Sequence, residues 1–236
     1  MKNLSIYKRS LSYIISITFI LMSFLSAVHF CCFDENFYTS EHNKIKLYGK
    51  SISEHIGIND EELKTLTSFT LDYLNDPNAS LDLVMNINGQ DREVFTNDEK
   101  AHMVDVRKLN LNSIYLDIFS VVLFIICFVT YLLLKCDFKY LFKSYKNTLI
   151  YILIFFSILG LWIFLDFNSF WTLFHKIFFA GNDLWILDLR KDILIMIVPP
   201  QFFNDLVIRI LILFVSIICV FGIILYLLSR KKIEDD

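Results

Sequence analysis

YLDIFSVVLFIICFVTYLLL, residues 115–134, is followed by KCDFKYLFKSYKN over 135–147 and then by TLIYILIFFSILGLWIFL over 148–165. A helix needs about 20 apolar residues to cross the hydrocarbon core of a bilayer, and both outer pieces of this stretch come close to that length. In lipid every backbone N–H and C=O must find its partner inside the protein, which a helix achieves within each span. Runs 11–33 and 206–228 meet the same criterion. The expected fold class is therefore an all-α polytopic membrane protein with four transmembrane helices.

Composition agrees. Of 236 residues 56% are hydrophobic and 20% charged, with 24 Phe against 6 Gly, more apolar surface than a water-soluble domain can hide. A formal net charge of −3, with the basic residues gathered on no single patch, argues against a nucleic-acid partner. The five cysteines, Cys31, Cys32, Cys127, Cys136 and Cys219, lie in or beside the apolar runs, so neither a disulfide framework nor a zinc site follows.

Orientation follows from lysine and arginine near the ends of short loops. Lys2, Lys8 and Arg9 precede the first run, Lys135, Lys139, Lys143 and Lys146 fill the second link, and Arg230, Lys231 and Lys232 follow the last run. Residues 1–10, 135–147 and 229–236 are accordingly expected in the cytoplasm, with 34–114 and 166–205 outside. The first outer loop holds 8 Lys+Arg against 15 Asp+Glu and the second 3 against 5, so neither carries a cytoplasmic retention signal. Run 11–33 has the alternative of a cleaved signal, but Val28, His29 and Phe30 before Cys31 suit neither a lipobox nor an A-x-A site. A retained helix is expected.

The first outer loop is too long for a simple connection, and its second half reads as a small α+β extracytoplasmic cap. Asn59 with Glu62 forms a capping box ahead of Leu63, Leu66, Phe69 and Tyr73. Thr96 with Glu99 forms another, opening a helix through His102, Met103, Val106 and Leu109. Between them, 81–87 and 93–95 read as strands joined by an Asn88-Gly89 turn. The second outer loop reads FWTLFHKIFF over 170–179, then Trp185, then DILIMIVPPQFF over 192–203. Its apolar pieces are too short to span and crowded with aromatics, which predicts an interfacial or re-entrant segment.

Two histidines stand out. Helical spacing puts Trp171, Phe178 and Phe179 on the face of His175, and burial there favours the neutral imidazole a general base requires. The alternative is an interfacial histidine bonded to headgroups or backbone. His102 is followed one turn later by Asp105, which would fix its tautomer, with Arg107 nearby; ordinary solvated helices carry such pairs too. Asp192, beside Arg190 and Lys191, either orients a group at the membrane surface or, the favoured reading, pairs with those neighbours. His29, His42 and His55 receive no role. No G-x-S-x-G, Walker, H-E-x-x-H or acidic metal cluster is present in the sequence.

The blocks FWTLFHKIFF, Trp185, DILIMIVPPQFF and, in the first loop, HMVDVRKL over 102–109 resemble a family of four-span bacterial membrane proteins, the lipoprotein intramolecular transacylases. The resemblance implies a reaction at the outer leaflet of the bacterial cell membrane on lipoproteins carrying a diacylglyceryl group on their amino-terminal cysteine. The sn-2 acyl chain moves to the cysteine α-amino group and leaves an N-acyl, S-monoacylglyceryl product. It implies that His175 and His102 are catalytic. Asp105, Arg107, Trp171, Phe178, Trp185 and Asp192 are the candidates for supporting them or binding substrate, no cofactor or metal is expected, and the protein is expected to act as a monomer in contact with membrane lipid. His102, Arg107 or a backbone amide are candidate oxyanion donors. The competing readings are a non-enzymatic assembly or sensor protein with a partner-binding cap, and a small transporter. The scarcity of polar residues inside the spans speaks against the transporter.

Overall fold

Nine helices and two short hairpins account for the computed structural model, which describes residues 2–230. Lys231 and Lys232, expected in the cytoplasmic tail, lie outside the described residues. Four helices are long and apolar enough to cross a membrane: α1 (Lys2–Cys32), α5 (Asn97–Leu133), α6 (Phe138–Leu165) and α9 (Pro200–Arg230). The chain divides into two units.

The first unit comprises Met1–Val28, Ile114–Phe167 and Ile210–Asp236. Aromatic rings dominate its packing. Phe19 stacks on Phe221 with centroids 3.6 Å apart, and Phe24 sits 5.4 Å from Phe156 and 5.5 Å from Phe214. The buried Tyr145 donates its hydroxyl to the Ile218 carbonyl at 2.5 Å, satisfying a polar tip that lipid cannot. Serines on α1 return their hydroxyls to the helix, Ser16 to Ser12 and Ser23 to Phe19, each at 2.7 Å. The outward residues of α6, such as Tyr151, Phe155, Ile158 and Phe164, are exposed, as a lipid-facing surface requires.

The second unit comprises His29–Ser113 and Asn168–Arg209. Its first half, over which the sequence carried no reading, folds as α2 (Glu35–Lys44), a hairpin of β1 (Lys46–Leu47) and β2 (Lys50–Ser51), and α3 (Ile52–Ile56). Both expected capping boxes form at Asn59/Glu62 and Thr96/Glu99, the first opening α4 (Asp60–Asn75). The expected hairpin also forms, as β3 (Val84–Ile87) and β4 (Gln90–Glu93), with Ile87 opposite Gln90. Its return strand starts earlier than 93, because Asn88 at φ 53 and Gly89 at φ 82 make a two-residue turn that pairs the flanking residues at once.

Three boundaries differ from expectation. The helix opening at Thr96 does not stop near Leu109 but continues through the span as the single 37-residue α5, since nothing between 109 and 115 breaks a helix. At 1.5 Å per residue it is roughly 55 Å long, far more than a bilayer core. Helix α9 begins at Pro200 rather than 206, because proline at the first helical position has no N–H to lose. The second outer loop is largely helical, with α7 (Phe167–Phe178) and α8 (Ile193–Ile197).

Candidate active site

Helix α7 carries Trp171, Phe174, His175 and Phe178 at one-turn intervals. His175 is 5% exposed, and its Nδ1–H donates to the Trp171 carbonyl at 2.7 Å. A carbonyl can only accept, so this bond fixes the tautomer and leaves the lone pair on Nε2. The backbone bond offered as an alternative to a catalytic role is therefore present, and it orients the ring as a base needs. Trp171 lies 4.4 Å from the imidazole, Trp185 5.0 Å and Phe179 5.4 Å, between ring centroids, while Phe203 packs on Trp171 at 4.2 Å. Phe178, expected on the same face, is exposed and packs on Phe174 at 4.7 Å. The aromatic wall is completed instead by Phe179, just past the helix end.

His102 faces this wall from α5. It is 6% exposed, with its ring centroid 6.2 Å from that of His175 and 5.0 Å from that of Phe179. Its Nδ1 has no hydrogen-bond partner among the described residues. Burial, reinforced by the neighbouring His175 and opposed by Asp105, pushes its pKa down to about 4. Burial also lowers that of His175, against the opposing effect of its bond to Trp171. Both imidazoles are thus held neutral near pH 7 in an apolar enclosure.

The expected supporting residues are placed differently. Asp105 does not fix the His102 tautomer; its Oδ2 accepts from Asn182 Nδ2 at 3.1 Å, tying the loop after α7 to α5. Arg107 is committed elsewhere. Its Nη1 donates to the carbonyls of Ala79 at 2.7 Å and Asp76 at 3.2 Å, and its guanidinium lies 4.2 Å over the Tyr73 ring, so it clamps the end of α4. Asp192 does not pair with Arg190, which binds Asp188 at 2.9 Å. It is 5% exposed and accepts the Asp188 N–H at 2.7 Å.

The anchor that composition concealed is Glu99, one turn before His102 and 0% exposed. One carboxylate oxygen accepts Thr96 N–H and the other Leu194 N–H, both at 2.7 Å. The capping-box motif revealed the first bond, but the second joins positions 95 residues apart and leaves no local signal. His42 and His55, given no role from sequence, make hydrogen bonds to the carbonyls of Ile197 at 2.9 Å and Leu189 at 3.2 Å, pinning the same segment from α2 and α3.

This geometry, two neutral imidazoles in an aromatic enclosure, can move a proton between groups in a water-poor setting. A search of curated proteins finds no match. Among solved structures, the membrane-integral lipoprotein intramolecular transacylase Lit from Bacillus cereus is similar, with a TM-score of 0.76 at 22% identity over 96% of this chain and 95% of that one. Two histidine variants of that protein, to arginine and to alanine, give TM-scores of 0.70 and 0.71 at 20% identity, each covering 97% of this chain and 94% of theirs. At such identities the likeness shows the fold. The family model "Lipoprotein intramolecular transacylase Lit" matches residues 13–203, a stretch that includes both histidines, the aromatic wall and the Glu99 anchor, and the chain belongs to that family.

Proposed function

We propose that this protein is a lipoprotein intramolecular transacylase that moves the sn-2 acyl chain of a diacylglyceryl-cysteine to the α-amino group of the same cysteine. The observation carrying this reading is the His102/His175 pair, with ring centroids 6.2 Å apart inside an aromatic enclosure. The substrate's amine attacks the ester carbonyl only as the free base. His175, with Nδ1–H held by the Trp171 carbonyl, presents Nε2 to take the amine proton as the C–N bond forms. Collapse of the tetrahedral intermediate breaks the bond between the acyl carbon and the oxygen on glycerol carbon 2, and that oxygen, still attached to the glycerol, takes a proton delivered through the imidazole pair. Amide and hydroxyl replace amine and ester, so no atom is gained or lost. His102 is the oxyanion or leaving-group donor; Arg107, bonded to the end of α4, is not.

Both reacting groups belong to one substrate, so catalysis rests mainly on holding them in near-attack geometry. Trp171, Phe179, Trp185 and Phe203 supply apolar surface to grip acyl chains. The lysine flanks support cytoplasmic termini and a site at the outer leaflet of a bacterial cell membrane, with the protein acting as a monomer.

Tandem mass spectrometry of a lipoprotein's amino-terminal peptide tests the reading, in cells with diacylglyceryl lipoproteins expressing the parent or His175→Ala. Fragmentation is needed because the isomerisation leaves mass unchanged. An amide-linked acyl chain only with the parent is expected. Ester-linked diacyl peptide in both samples, with folded protein present, refutes it and favours a partner-binding membrane protein.

A further inference from the structure

The imidazole pair and its aromatic wall account for the amine, the ester and the acyl chains, but the proposed substrate also carries a polypeptide that has to leave the site through polar surroundings. A cleft of about 470 Å³ meets that need, lined by Thr96 and Asp98 at the start of α5 and by Asn182, Asp183, Lys191 and Asp192 on the loop between α7 and α8. Its size falls within the range of specific small-ligand clefts, about 300–1,000 Å³. It also adjoins the catalytic residues along the chain. Leu184 and Ile186, which flank Trp185, line it, and Asn182 holds Asp105, one turn past His102 on α5.

Asp192 gives the cleft a built acceptor. It is 5% exposed, and one oxygen is fixed by the Asp188 N–H at 2.7 Å. The other oxygen receives no hydrogen bond from the described residues, and Asp192 is among the residues lining the cleft. A carboxylate oxygen left open in this way can accept an incoming N–H, and a hydrogen bond to a charged acceptor is stronger than one between neutral groups. Three carboxylates, Asp98, Asp183 and Asp192, surround it against the single ammonium of Lys191. We infer that this cleft receives the extended polypeptide following the acylated cysteine, that Asp192 accepts a backbone N–H from it, and that the acidic lining selects against acidic residues there. The inference rests on the transacylase reading and adds a peptide specificity to it.

Asp98 and Asp183 are exposed, so their effect is modest and screened by salt, whereas the bond to buried Asp192 serves every peptide alike. The test uses the full-length protein in neutral detergent with three diacylglyceryl-cysteinyl peptides identical except for tails rich in lysine, serine or glutamate. Initial rates are read by fragmentation. At low salt the lysine tail is expected to react about fivefold faster than the glutamate tail, a ratio that shrinks as salt rises. Asp98→Asn with Asp183→Asn should bring the ratio close to unity. Asp192→Asn, which keeps an oxygen for the Asp188 N–H, should raise KM for all three tails and leave kcat nearly unchanged. Glu61→Gln removes one carboxylate from the exposed first turn of α4, outside the cleft lining, and should leave the ratio intact, whereas Asp98→Asn or Asp183→Asn alone should each lower it. Equal rates for the three tails, or a ratio that Glu61→Gln alters as much as the cleft variants do, overturns the inference. If no peptide is transacylated, anisotropy of fluorescently labelled tails separates the two ideas. Lysine-over-glutamate binding that depends on Asp98 and Asp183 preserves the cleft while the transacylase reading falls, and indifferent binding removes both.

Discussion

Replacing Glu99 tests whether the paired histidines His102 and His175 are held by a buried carboxylate bridging distant segments. The side chain is 0% exposed and its two oxygens accept Thr96 N–H and Leu194 N–H at 2.7 Å each. A hydrogen bond to a charged group contributes about 1.5–3 kcal/mol, and a buried donor left unsatisfied costs about 1–3 kcal/mol. Against this, removing a buried anion recovers part of its desolvation penalty. That recovery is partly offset, because an acceptor at the N3 site of α5 lies in the positive field of the helix N-terminus. Glu99→Gln keeps one carbonyl acceptor and turns an amide N–H toward the other donor, so a loss of about 2 kcal/mol is expected; Glu99→Ala loses both bonds, roughly 3–4 kcal/mol. Melting in detergent should fall by about 5 °C for the glutamine variant, by the scaling for chains of this size. Because Leu194 would no longer be tied one turn below His102, the rate per folded molecule should also drop, on the order of tenfold, through misplacement of the imidazole pair. A glutamine variant that melts within a degree of the parent and turns over at full rate refutes the idea that this bridge sets the site.

Acid should destabilise the second unit. His102 and His175 have folded pKa values below their ordinary value, so the unfolded chain binds more protons. Their contribution is complete above about pH 6.5 and is lost as pH falls toward the His102 value of about 4. His102→Gln should therefore flatten melting temperature against pH between about 7 and 5, and an unchanged slope counts against its burial as a neutral base. The rate should instead rise through about pH 8, where the substrate's α-ammonium deprotonates, and peptides with a less basic amine should shift that limb to lower pH. Gly57→Ala should cost about 2 kcal/mol: Gly57 has φ +90 and an added Cβ would lie 2.3 Å from the Asn88 side chain. Asn88→Gly in the same chain should recover the steric part and leave the backbone strain, as judged by melting temperature.

Features that depend on residues close in the chain were legible without a structure. Apolar length defined the four spans, because a bilayer core tolerates only segments that satisfy their own backbone. Asn59/Glu62 and Thr96/Glu99 disclosed helix starts, and Asn88-Gly89 disclosed a hairpin, because each motif completes its hydrogen bonds within a few residues. His175 was conspicuous as a titratable group among aromatics, and its bond to Trp171 spans only one helical turn. Tertiary structure alone decided that His102 and His175 face each other from positions 73 residues apart in the numbering. It also decided that Asp105 serves Asn182, that Arg107 clamps α4, and that Phe179 rather than Phe178 walls the site. Glu99 shows the reason most clearly. In sequence it is an ordinary capping glutamate, with one acceptor oxygen assigned; what its second oxygen bonds is fixed by which distant N–H the fold buries beside it, and burial is a property of the packed chain rather than of any segment.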